Sequence, residues 1–325
     1  MAAPDWFGVV RTEYLEDFVR AGGAAVKFAV SPTAEGRRAL RDHLQAAAEE
    51  NGFQFAFVDA MTTRLHLIDR LFHEVARQID WDALAYSFLS RFLTQAGLRL
   101  PDGHDGLTLG SIAAVNAREE KDLRNVVTGW LWKELFHDYE MSQEFRLAMI
   151  KLCQAQLDPE SDPALKEAVE AWLRGELRLI TAVKRALIFQ KIAQHNARHM
   201  LFSLSHWLKV AGKSGLVLAV DIARYAENVP RAAREEGIYY SNSAAIDLYE
   251  VLRQFVDATD ELEFCFMAVI AGPEFLNDAR RGVSKYQALQ MRIWDEVRDR
   301  NRPNPLSSLV RLDSSGLAFA GRGEE

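Results

Sequence analysis

The sequence predicts an α/β protein with a parallel sheet flanked by helices, and three observations carry that prediction. Ala24–Val30 is an apolar run of strand length. Gly215–Asp221 and Leu262–Gly272 are continuously apolar too, the pattern of strands covered on both faces of a parallel sheet. Between the first run and a further one, Phe53–Val58, lies an amphipathic stretch, Arg37–Glu50, closed by Asn51-Gly52. Strand, short loop, helix, strand is a βαβ unit, whose loop and helix N-terminus can hold a phosphate.

The remaining elements follow in order. Residues 5–21 have helical spacing and stop at Gly22-Gly23. From Thr62 to about Gln95 apolar residues recur every three or four positions, so the spacing predicts helix. Gly97–Gly106 is rich in Gly, Pro and Asp and reads as a loop. Helical patterns resume over Lys121–Gln156, again after the turn at Asp158–Pro163, and from Ile180 to Ala211; Pro163 suits a first helical turn. Further helices are expected over Ser243–Asp257 and Tyr286–Arg298, and residues 314–325 read as a frayed tail. The expected organisation is therefore residues 1–61 as an N-terminal helix and βαβ unit, 62–211 as a helical insertion, 212–313 as the rest of the sheet, and 314–325 as the tail.

Composition narrows the function. At 325 residues and 49% hydrophobic the chain can bury a large core, and a net charge of −7 confines any nucleic-acid surface to a local patch. Two cysteines, Cys153 and Cys265, give no disulfide framework. No apolar run reaches membrane-spanning length and no leader pattern opens the chain, so a cytoplasmic location without membrane contact is expected.

The loop after the first strand invites comparison with the phosphate-binding spacing G-x-x-x-x-G-K-[ST]. Its first Gly falls at Ser31, its Lys at Arg37 and its hydroxyl at Arg38; only Gly36 fits. Ser31, Glu35, Gly36, Arg37 and Arg38, with Asp221 at the end of a later strand, are the candidate nucleotide site. Asp221 reads equally as a Mg²⁺-holding carboxylate or as a strand-end turn residue. Ile222 follows it, where a Glu would be needed to activate water. The string Gly212-Lys213-Ser214 precedes a strand rather than opening a helix and is set aside. His195 and His199 have metal-chelating spacing but no acidic companion, so no metal site is expected. Arg280, Arg281, Arg292, Arg298, Arg300 and Arg302 make the C-terminal part locally basic, as candidate phosphate or nucleic-acid contacts or as a salt-bridged face.

Taken together, several stretches resemble the P-loop ATP-binding proteins of BREX bacteriophage-defence loci, relatives of AAA-like and Orc/Cdc6-type ATPases. They include Gly22–Phe28, the Asn196–Arg198 helix running through Trp207-Leu208 to Leu218, Tyr239-Tyr240, Tyr249–Phe255, Ala271–Leu276, Arg280–Val283 and Tyr286–Leu309. The resemblance implies an AAA-like P-loop NTPase fold, ATP as cofactor, and a role in phage defence beside other defence-system proteins, in a homo- or hetero-oligomer, with DNA a candidate partner. Ser31, Arg37, Arg38 and Ile222 depart from the family's motifs and argue against hydrolysis and against magnesium. Three readings follow: a pseudo-ATPase acting in assembly or DNA association, an active ATPase motor that recruits a different carboxylate, and a nucleic-acid-binding scaffold.

Overall fold

The computed structural model describes residues 1–101, 107–227, 236–294 and 304–313. Along the chain the elements are α1 (Ala3–Val9, continued by a π-helical segment, Val10–Phe18), β1 (Ala24–Val30), α2 (Ala34–Glu50), β2 (Gln54–Asp59), α3 (Ile68–Arg77), α4 (Trp81–Gln95), α5 (Leu109–Val115), α6 (Glu120–Leu131), α7 (Gln143–Leu157), α8 (Pro163–Leu173), α9 (Ala197–Val210), β3 (Leu216–Asp221), α10 (Ala223–Ala226), α11 (Asn242–Asp257), β4 (Cys265–Ala271), α12 (Glu274–Asn277), α13 (Gln287–Ile293) and β5 (Leu309–Arg311). They fall into two compact units. One joins Met1–Leu71 to Ser214–Glu325, and the other is Phe72–Lys213.

The first unit holds a five-stranded sheet, every pairing parallel, in the order β2-β3-β4-β1-β5. β1, β3 and β4 are buried along almost their whole length, as continuous apolar runs require. On one face Ala25, Ala29, Ala219 and Ala268 are small, and Trp6, Val10 and Leu15 pack there with Leu40 and Leu44 of α2. On the other, the Phe28 ring stacks on Phe275 at 5.9 Å, and Tyr249 of α11 meets Phe275 edge-on. β5 is a fifth strand that periodicity does not reveal, since three residues carry no period; Phe28 N–H donates to Ser308 O at 2.7 Å to start its pairing.

Lys27 is an exception in this apolar sheet. Its ammonium donates to the carbonyls of Leu306 (2.5 Å) and Ser307 (3.4 Å) and lies 4.8 Å from the Tyr14 ring centre. Burial pulls its pKa down to about 8.

The second unit is helical. Trp81, Phe145, Trp172 and Trp207 are buried in it, and α7 is buried over most of its circumference. Asp80 caps α4, and Asp162 caps α8 ahead of Pro163. The expected helix over Thr62–Gln95 is two, because Asp80 starts a new one. The expected helix over Ile180–Ala211 begins as a 3₁₀ turn, Ile180–Ala186, and becomes α-helical only at Ala197.

Candidate functional site

The carboxyl ends of β1, β3 and β4 are where a parallel sheet presents ligand-binding groups. β1 stops at Val30, and Ser31 N–H still donates to Ala271 O at 3.0 Å. Thr33 is then extended, and its Oγ1 accepts the Gly36 N–H at 3.0 Å. This cap starts α2 at Ala34, three residues ahead of the expected Arg37, and it corrects the sequence reading of the loop. The connection is three residues long, Ser31–Thr33, and Gly36 is buried within the first helical turn. No residue of this connection or of the first turn has a positive φ. A phosphate nest needs successive N–H groups turned inward by left-handed or glycine backbone. Thr33, a good cap, followed by Ala34 and Glu35, favours early helix instead.

The remaining candidate residues divide. Glu35 and Arg38 are mostly exposed and face each other at 3.8 Å. Ser31 is fully buried, and its hydroxyl has no partner. Arg37 reaches across the strand ends: its Nε lies 3.3 Å from Asp221 Oδ2 and its other guanidinium end 3.5 Å from Glu227. The Arg37 and Asp221 side chains are only 15% and 17% exposed. Gly272, just past β4, lies beside the pair: a Cβ there would be in ordinary contact with the Arg37 guanidinium, at 3.6 Å.

Asp221 Oδ1 accepts the Ala223 N–H at 2.9 Å, the turn role that the sequence allowed it. Burial pushes its pKa up to about 6; the Ala223 N–H and the Arg37 guanidinium pull the other way, while Asp59 adds to the rise. Asp59 ends β2 in register with Asp221, and its Oδ1 accepts the Met61 N–H at 2.7 Å. These groups border a cleft of about 330 Å³ that Arg41, Phe57 and Arg224 also line. Glu227 had no sequence signal: it lies six residues past Asp221 and is placed by the short α10. Asp59 did have one, an apolar strand ending in a carboxylate. Tyr225 and Tyr240 stack at 3.7 Å beside the cleft, and the Tyr240 hydroxyl lies 2.7 Å and 2.8 Å from Ala60 O and Thr63 O, joining the segments that follow β2 and β3.

A magnesium triphosphate fits this arrangement poorly. The cation that would approach phosphate is already engaged by two carboxylates. The metal's carboxylate is held by that same cation, and Arg38 offers no hydroxyl.

Among the described C-terminal basic residues, the side chains of Arg281 and Arg292 are engaged within the chain. Arg281 donates to Asn242 Oδ1 (2.9 Å), Glu227 O (3.0 Å) and Tyr239 Oη (3.1 Å). Arg292 pairs with Asp257 and donates to Ala288 O. Arg280 is exposed and its backbone N–H donates to Asp278. Arg298, Arg300 and Arg302 lie outside the described residues. Gly212, with φ +101°, ends α9, and Ser214 Oγ donates to Asn51 O at 2.7 Å, so Gly-Lys-Ser serves as a turn before β3. His206 pairs with Asp138. Among the described residues no three His, Cys, Asp or Glu side chains converge as a metal site, and no helix is long and apolar enough to cross a membrane.

A five-stranded all-parallel sheet with helices on its faces, and a βαβ unit opening onto a carboxyl-end cleft, is an architecture compatible with P-loop NTPases. The family model of the BREX system ATP-binding protein BrxC/D matches residues 12–316, and the chain belongs to that family. It is thus a component of a phage-defence system. No curated protein and no solved structure matches the chain.

Proposed function

We propose that this chain is a non-hydrolysing P-loop component of a BREX defence complex, AAA-like in fold, acting in assembly or DNA association. The helical unit is read as an insertion between β2 and β3. The observation that carries the proposal is the Arg37 guanidinium seated on Asp221 and Glu227. Phosphoryl transfer is accelerated by positioning and by cationic groups that neutralise developing charge. Here Arg37, the cation at the expected lysine place, is neutralised internally, Arg38 faces solvent, and buried Ile222 supplies no base. ATP, the ligand the family's description points to, has to displace Arg37 from both carboxylates before its phosphates reach that cation. The competing motor reading requires a carboxylate poised over a water; Asp59 and Asp221 both spend one oxygen on their own turns. The test is a phosphate-release assay with Mg·ATP, on the chain alone and with its co-encoded proteins. The expected result is no turnover above background. Turnover that Arg37→Ala abolishes would overturn the proposal.

A further inference from the structure

Residues 177–191 of the helical unit form a closed, stapled loop. The Lys191 ammonium donates to the carbonyls of Leu177 (3.2 Å) and Arg178 (3.0 Å), which brings the two ends side by side. Trp172 Nε1 donates to Gln190 O at 2.9 Å, and Gln190 Nε2 to Glu144 at 2.5 Å, so the returning strand of the loop is fixed to two helices. Val183, Ala186 and Ile188 are fully buried beneath it.

Its outer side is apolar. Leu179 is 70% exposed, Phe189 65% and Leu187 50%. Leu179 and Phe189 flank the staple. Leu187 holds φ +62°, a left-handed conformation that is strained for a leucine. Leu187 ends the Ile180–Ala186 turn in that conformation, its N–H donating to Lys184 O at 2.9 Å, so its exposed side chain stands on a fixed support, and compact surface loops of this length are often functional.

The charge is one-sided as well. From Leu177 to Val220 the chain has no Asp or Glu and seven Lys or Arg, in a protein of net charge −7. Of the loop's cations, Arg185 pairs with Asp162 and Lys191 makes the staple. Arg178 and Lys184 are exposed and have no carboxylate within ion-pair distance among the described residues. Two protruding leucines cannot stack on bases as aromatic rings do, which favours a protein surface over a nucleic acid.

We propose that residues 177–191 are a docking knob for a protein partner presenting an apolar groove rimmed by Asp and Glu carboxylates. Leu179, Leu187 and Phe189 enter the groove and set the dissociation rate; Arg178 and Lys184 meet the rim and set the association rate and its salt dependence. This surface is independent of the Arg37 site, so it stands or falls separately from the hydrolysis question.

The test uses the full chain carrying a photoreactive benzophenone amino acid at Leu179, co-expressed with the other proteins encoded in its defence locus, with crosslinks mapped by mass spectrometry. One crosslink is expected, to a partner segment whose apolar residues are flanked by Asp or Glu. Its yield is expected to fall about fivefold or more with R178E/K184E, and again on raising the salt. Circular dichroism of R178E/K184E checks that the fold is kept, since both side chains are exposed. Crosslinks only to a second copy, to nucleic acid or to a segment without carboxylates would overturn the proposal. So would the absence of a crosslink, or a yield indifferent to charge reversal.

Discussion

Replacing Arg37 by Met removes the cation that two carboxylates share, and its consequence can be worked from the geometry. At 3.3 Å and an effective dielectric constant near 20, the Arg37–Asp221 attraction is about 5 kcal/mol before desolvation. The rise of the Asp221 pKa from 3.8 to about 6 corresponds to about 3 kcal/mol against its charged form, with Arg37 already in place. The net pair is therefore modest, but breaking it from one side strands a buried carboxylate. R37M should lose about 2–3 kcal/mol at pH 7.5, and D221N about 1–2 kcal/mol. The double variant should lose less than their sum by about 1–2 kcal/mol. The pH dependence has a definite sign. A carboxyl whose folded pKa is raised holds a proton that the unfolded chain has released, so stability falls as pH rises through the window from 3.8 to about 6. Without Arg37 the window extends upward, so the R37M deficit should shrink between pH 7.5 and pH 5. Urea unfolding of the four proteins at both pH values measures this. Additivity within about 0.3 kcal/mol, or a deficit unchanged by pH, would refute the pairing.

Three further outcomes are expected. Lys27, charged in the unfolded chain and with a folded pKa near 8, should make the wild type gain up to about 3 kcal/mol relative to K27M as pH rises from 8 to 10.5; parallel urea titrations of the two proteins show the difference. Gly215→Ala places a Cβ 2.1 Å from Phe264 O at φ +139°, so it should cost more than about 2 kcal/mol or prevent folding, read as a drop in melting temperature. Thr33→Ala removes the cap on the Gly36 N–H and should cost about 1 kcal/mol, with faster hydrogen exchange confined to the first turn of α2.

Much of the sheet was legible because burial on both faces leaves a mark that one chain displays by itself. β4, and β3 up to Asp221, are uninterrupted apolar runs and β1 is broken only by Lys27, and the end of the β3 run placed Asp221 correctly at a strand end. β5 was not legible, because a three-residue edge strand is defined by its partner β1. The start of α2 was misplaced for a related reason: the phosphate-loop spacing drew the helix to Arg37, while the local chemistry of Thr33 capping Gly36 sets it at Ala34. The Arg37–Asp221 pair joins residues 184 positions apart through the arrangement of β1, β4 and β3, and no local signal announces it. The stretch from Ile180 to Asn196 has helical spacing yet is irregular before α9, because buried Val183, Ala186 and Ile188 and the Lys191 staple outweigh propensity.

The most direct measurement concerns the place where a metal would sit. Mn²⁺ with ATP, followed by water-proton relaxation or electron paramagnetic resonance, reports whether the divalent ion moves onto the protein. With Arg37 seated on Asp221, Mn²⁺ is expected to keep the signal of free Mn·ATP as protein is added, and R37M is expected to uncover binding at the freed carboxylates. An enhanced, protein-bound signal in the wild type that D221N abolishes would contradict the claim that this site is closed by its own arginine.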